Sequence, residues 1–133
     1  MRATGSHIRR ERGQAVVELA LVFPFLAVII VAIIQFGGLY NHYETITDAS
    51  RAGARKAAVS RSLADPVAAA TAAVYASAPA LDPAKLVVTV TPSPPWTLGQ
   101  QVEVKATYPY SISLAGVSVT SGTLTSKTKE RVE

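Results

Sequence analysis

The sequence predicts an α+β chain. A long N-terminal helix spans a membrane and continues into a stalk, followed by a second short helix and a small antiparallel sheet. Three observations lead there. From Leu19 to Ile34 no polar side chain occurs. Asp65-Pro66 opens an Ala-rich run, and from Lys85 onward the apolar residues recur with a period of two. The expected organisation is a basic head at 1–13, a membrane and stalk helix at 14–62, and an outer α+β domain at 63–133.

The helix comes first. From Ala15 to Phe36 it has a length of roughly 33 Å at ~1.5 Å per residue, enough for a hydrocarbon core of ~30 Å. Two soluble alternatives fit less well. A chain of 133 residues can hardly cover a helix that is apolar on every side. A cleaved secretory signal has a shorter apolar run and a small-residue cleavage site soon after it. Phe36 to Tyr40 prolongs the apolar character instead.

Charge supports a membrane anchor. The formal net charge is +4, yet charged residues make up only 17% of the chain and apolar ones 49%. The mean hydropathy is +0.26. These values argue against a disordered basic tail and against a nucleic-acid partner, which needs abundant, clustered Lys and Arg. Arg2, Arg9, Arg10 and Arg12 stand against Glu11 in the first thirteen residues, so that head carries +3 and the remainder only +1. Basic residues flanking one end of a span keep that end cytoplasmic. The C-terminal part is therefore expected outside, although Arg51, Arg55 and Lys56 weaken the bias.

Glu18 lies among Ala15, Val16, Val17 and Leu19, near the cytoplasmic end. An ionised group costs about 2.5–3.5 kcal/mol at mid-membrane and less near the interface. It can snorkel to the headgroups, pair with Arg12, or serve a purpose that justifies the cost. Pro24 removes one backbone hydrogen bond and is expected to kink the helix, which membrane helices tolerate. Gly37-Gly38 allows a hinge or a close approach.

The helical pattern persists beyond Tyr40. Leu39, Tyr43, Ile46, Gly53 and Ala57 share one face, and Glu44, Asp48, Arg51 and Arg55 another. Asp48 can meet Arg51 one turn on. The charged stripe is either a solvated face or a docking face, where Ala49, Ser50, Ala52, Gly53 and Ala54 permit close packing of a neighbour. The helix runs to about Ser60, roughly 70 Å if unbroken.

Asp65 then reads as an N-cap with Pro66 at the first helical position. The helix from Val67 to Ala78 is stopped by Pro79. Its thin apolar stripe (Val67, Thr71, Val74, Ala78) suits packing on a sheet. Leu86, Val88 and Val90 face one side of a strand, and Val102, Val104, Ala106 and Tyr108 one side of the next. Between them a Pro-rich connection holds Trp96, as a core contact or as an exposed one. Val117 and Val119 suggest a further short strand. Thr123 to Glu133 reads as a polar edge strand, with Leu124 and Val132 inward. With no cysteine, disulfides, thiolate metal sites and a Cys nucleophile are excluded.

Gly13 closes the basic head, and Glu18 is the fifth residue after it. A basic leader ending in Gly, a Glu five residues on and a long apolar helix resemble the type IV prepilin-like proteins. The wording Arg12-Gly13-Gln14-Ala15-Val16-Val17-Glu18-Leu19-Ala20-Leu21-Val22-Phe23-Pro24 looks like the TadE-like pseudopilins of the tight-adherence (Tad/Flp) pilus system. Gln35-Phe36-Gly37 and the run from Asp48 to Arg55 share that family's habit. The resemblance covers residues 9 to 58 and is only architectural beyond them.

It implies a pilin-like fold and cleavage between Gly13 and Gln14 by a membrane-embedded prepilin peptidase. Arg9, Arg10 and Arg12 would leave with the leader. Glu18 would pair with the new N-terminal amine of a neighbouring subunit and set the register between helices. The implied partners are the membrane, the peptidase, other pilin or pseudopilin subunits and the assembly platform. The implied location is the cytoplasmic (inner) membrane, with the outer domain extracytoplasmic and possible incorporation into a surface pilus.

No phosphate loop, metal-ligand spacing or nucleophile elbow occurs. His7 and His42 are far apart and read as non-catalytic. No cofactor, metal, nucleic acid or small-molecule substrate is expected. The function expected is that of a structural minor pilin or pseudopilin, not an enzyme. The alternatives are a generic single-span envelope protein with a partner-binding outer domain and, less consistent with the residues, a membrane-anchored enzyme. A generic anchor has no need of Gly13 with Glu18.

Overall fold

The computed structural model describes the backbone of residues 5–114 and 116–133, and side chains from residue 13 onward. Helix α1 runs from Gly5 to Ala58, α2 from Pro66 to Ala76, β1 from Val87 to Thr91, β2 from Gln101 to Leu114 and β3 from Val117 to Arg131. The strands form one antiparallel sheet in the order β1-β2-β3. The α+β class is as expected. The chain divides into two units, Met1–Gly37 and Gly38–Glu133.

In the first unit, α1 begins at Gly5, inside the segment read as a leader, and stays helical through Gly13 and Pro24. Pro24 has no N–H for the Ala20 carbonyl, so the helix passes it with one backbone bond fewer. Around it Leu21, Phe23, Phe25, Ile29, Ile33 and Ile34 are all exposed. Mean hydropathy reaches 2.9 over an 18-residue window of which none is buried. A soluble core helix buries its apolar surface, whereas a helix apolar all round belongs in lipid. The protein is a single-pass membrane protein.

In the second unit, the rest of α1 joins α2 and the sheet around one core. Ile46, Ala49, Ser50, Gly53, Ala54 and Ala57 form the buried face of α1, at spacings of three and four. Tyr43, expected on that face, is 47% exposed, and the half-buried His42 takes its place. The small residues read as a docking surface are used within the chain. A Cβ on Gly53 would collide with Val74 of α2 and lie 3.2 Å from Val104 of β2. Ser50 Oγ donates to the Thr47 carbonyl (2.9 Å) and hydrogen-bonds the hydroxyls of Ser126 (3.1 Å) and Thr128 (2.8 Å) on β3.

Helix α1 ends at Ala58, two residues before the expected Ser60, because its last carbonyls find other donors. Ser60 N–H turns back to the Ala57 carbonyl, and the Ser60 hydroxyl donates to that of Lys56. The Ala58 carbonyl accepts from the Glu133 N–H at 2.9 Å, so the last residue of the chain helps to cap α1. Asp65 is the N-cap of α2 as expected, its Oδ1 accepting from Ala68 N–H at 2.8 Å. The helix stops at Ala76 rather than Ala78. Its buried face is Pro66, Ala70 and Val74. Thr71, placed on that stripe by the sequence, is half-buried.

Strand β2 differs most from expectation. It continues through Pro109 to Leu114, and Val117 and Val119 open β3 rather than forming a strand of their own. Strand β1 pairs β2 only up to Val87 opposite Thr107. Beyond Thr107 one flank of β2 is an edge, the setting in which a strand tolerates proline. The extension pairs β3 alone, with an irregularity between Ile112 and Ser113 and a turn containing Gly116 at φ +84°. Tyr110 lies opposite Gly122 and spreads its ring over it, a cross-strand contact that offsets the missing side chain. Trp96 is a core contact, 6% exposed, with its indole N–H donating to the Pro92 carbonyl at 2.8 Å.

Candidate functional site

The residues singled out by the sequence are Gly13, Gln14, Glu18 and Pro24, with Arg9, Arg10 and Arg12 before them. The arginine side chains lie outside the described residues. Gly13 sits within α1, and a side chain added there would meet nothing within 4 Å. Glycine here therefore answers no crowding within the chain. It weakens the helix locally by ~1 kcal/mol relative to alanine.

Gln14 and Glu18 are one turn apart on one face of α1. Gln14 Nε2 donates to Glu18 Oε1 at 3.2 Å, and both residues are exposed. The contact has the i, i+4 geometry of helical side-chain pairs. A carboxylate has about four acceptor positions, so one amide contact leaves room for another donor. Pro24 follows six residues on, deeper in the apolar stretch.

Residues 13–55 match the family described as TadE-like protein. The match begins at Gly13, takes in Gln14, Glu18 and Pro24, and ends at Arg55 in the buried turns of α1. It covers about a third of the chain and lies inside the stretch whose wording resembles TadE-like pseudopilins. It supports a protein associated with the Tad pilus, a family of structural proteins. The matched region contains the whole apolar span and leaves α2 and the sheet outside it. No curated protein and no solved structure matches the chain.

Along the stalk, Tyr40, Tyr43, Glu44, Thr47, Asp48 and Arg51 line a shallow groove on the exposed face of α1. Arg51 Nη1 lies 3.2 Å from Asp48 Oδ1, as the spacing predicts. His42 meets Tyr108 edge-on, ring centroids 5.4 Å apart. Among the described residues, no group of three or more His, Asp or Glu is placed to hold a metal ion. Sequence reasoning missed the long β2–β3 extension. Its available signal was the absence of any charged residue between Lys105 and Lys127.

Proposed function

We propose that the protein is a minor pilin or pseudopilin of a Tad-type pilus or a related secretion apparatus, cut by a prepilin peptidase between Gly13 and Gln14. One observation carries the proposal: the TadE-like match opens on Gly13, five residues before an acidic side chain that leads into an apolar stretch with no buried residue. The basic head holds the N-terminus in the cytoplasm, and the α+β domain lies on the extracytoplasmic side.

A protease reads an extended backbone, so a helical cleavage site must first unwind. Gly13 lowers that cost and presents no side chain to the subsite before the cut. Cleavage makes Gln14 the N-terminal residue and gives it an ammonium group. Glu18 of one subunit then accepts from the amine of the next. Each charge is costly in lipid alone, and the pair is less so. The pairing fixes the axial register of neighbouring helices. Assembly proceeds with other pilin subunits on a membrane platform.

The test is the N-terminal residue of the membrane-extracted protein. Cleavage predicts Gln14 in the native chain and an intact leader in Gly13→Ala. Glu18→Ala is expected to be cut normally yet to assemble at least several-fold less. A native chain that keeps Met1 points to a generic single-span envelope protein. Normal assembly of Glu18→Ala removes the register role.

A further inference from the structure

In the second unit, the contacts along α1 fix the direction of the sheet. Glu133 meets Ala58, Val104 lies against Gly53, Ser126 meets Ser50, and Tyr108 meets His42. Moving along β2 from Val104 to Tyr108 therefore moves back along α1 from Gly53 to His42. The two paths agree in length, about 14 Å of strand against about 16 Å of helix. Strand β2 continues for six residues beyond Tyr108, roughly 20 Å, while α1 has only about 6 Å from His42 back to Gly38. The β2–β3 turn thus extends past the end of this unit at which the chain arrives from its apolar segment.

The composition of the extension fits that position. From Ala106 to Ser126 no residue is charged, although exposed sheet edges are ordinarily guarded by charge. Near the turn Leu114, Val117 and Val119 are 38%, 69% and 65% exposed, and Leu114 pairs directly with Val117. Tyr110, half-buried, lies further back, and tyrosine favours the membrane–water interface. We propose that the β2–β3 turn is a second membrane contact, with Leu114, Val117 and Val119 seated at the boundary between headgroups and acyl chains. Deeper entry is disfavoured, because the edges of a two-stranded ribbon have no hydrogen-bond partners in hydrocarbon. The contact rests on α1 spanning the same bilayer.

The native chain has no cysteine, so single cysteines can carry an environment-sensitive fluorophore. The full chain is placed in phosphatidylglycerol–phosphatidylethanolamine vesicles with the probe at Val117, at Thr97 or at Ile29. Lipid-borne nitroxides are expected to quench the Val117 probe several-fold more than the Thr97 probe, with blue-shifted emission at Val117. The Leu114→Asp variant is expected to abolish that difference while leaving Trp96 emission unchanged. A Val117 probe open to aqueous quencher while Ile29 stays protected overturns the contact and leaves the anchor standing. Exposure of both overturns the anchor as well. Protection of Val117 that appears only as protein density in the vesicle rises overturns the lipid assignment in favour of a second copy of the chain.

Discussion

The two halves of α1 make opposite demands on their surroundings. Before Gly37 the helix exposes large side chains in every direction and buries none of its most apolar window. After Gly38 it buries a face of small residues against its own α2 and sheet. One hydrogen-bonded element therefore depends on lipid over one stretch and on the chain itself over the other. Alanine and glycine in a helix do not by themselves mark a surface for a neighbouring subunit. Here Ala49, Gly53 and Ala54 are already occupied.

The comparison breaks most sharply if the first half is made polar. Replacing Leu26 and Ile29 with arginine adds two charges near mid-span, each costing about 2.5–3.5 kcal/mol. The expected result is loss of the protein from carbonate-washed membranes. Trp96, the single tryptophan, reports from the second unit, and its emission is expected to stay that of a buried indole. Retention of the double variant in the membrane would contradict the anchor.

The reverse experiment is Gly53→Val. Its side chain collides with Val74 and Val104, and overpacking of this kind costs about 1–3 kcal/mol or more. Denaturation of the full chain in detergent, followed by Trp96 emission, should show a lower midpoint, with membrane retention unchanged. Gly53→Ala should cost less, since alanine recovers about 1 kcal/mol of helix propensity. Ser50→Ala comes next. It removes the hydroxyl that joins α1 to Ser126 and Thr128 of β3 and leaves buried Ser126 without that partner. About 1–3 kcal/mol is expected.

The sequence made the first half legible and the second only in outline. An uninterrupted apolar run of this length favours a membrane span over a core helix or a cleaved signal, and the TadE-like match takes in Gly13 and Glu18. Strand periodicity likewise located Leu86, Val102, Val104 and Val132 on the inner side. The β2–β3 extension escaped for two reasons. Pro109 reads locally as the end of a strand, and its tolerance depends on β1 stopping opposite Thr107, a fact of pairing rather than of sequence. In the sequence Ala115-Gly116 also breaks the alternation of Ile112 and Leu114 with Val117 and Val119, leaving two short runs rather than one ribbon. On α1, Tyr43 was placed inside because the spacing admits it, while contact with Tyr108 selected His42.

The smallest expected effect concerns the face of α1 that the core leaves open. Asp48 and Arg51 form an ion pair with side chains 73% and 57% exposed. Such pairs contribute a few tenths of a kcal/mol and are screened by salt. Asp48→Asn should therefore leave the Trp96 unfolding midpoint almost unchanged. Stability and assembly then separate cleanly at this position. If Asp48→Asn also leaves assembly intact, the charged stripe is a solvated face. If assembly falls while the midpoint stays fixed, the stripe contacts another subunit. The lost contact cannot then be ascribed to unfolding, because the pair contributes too little to the fold.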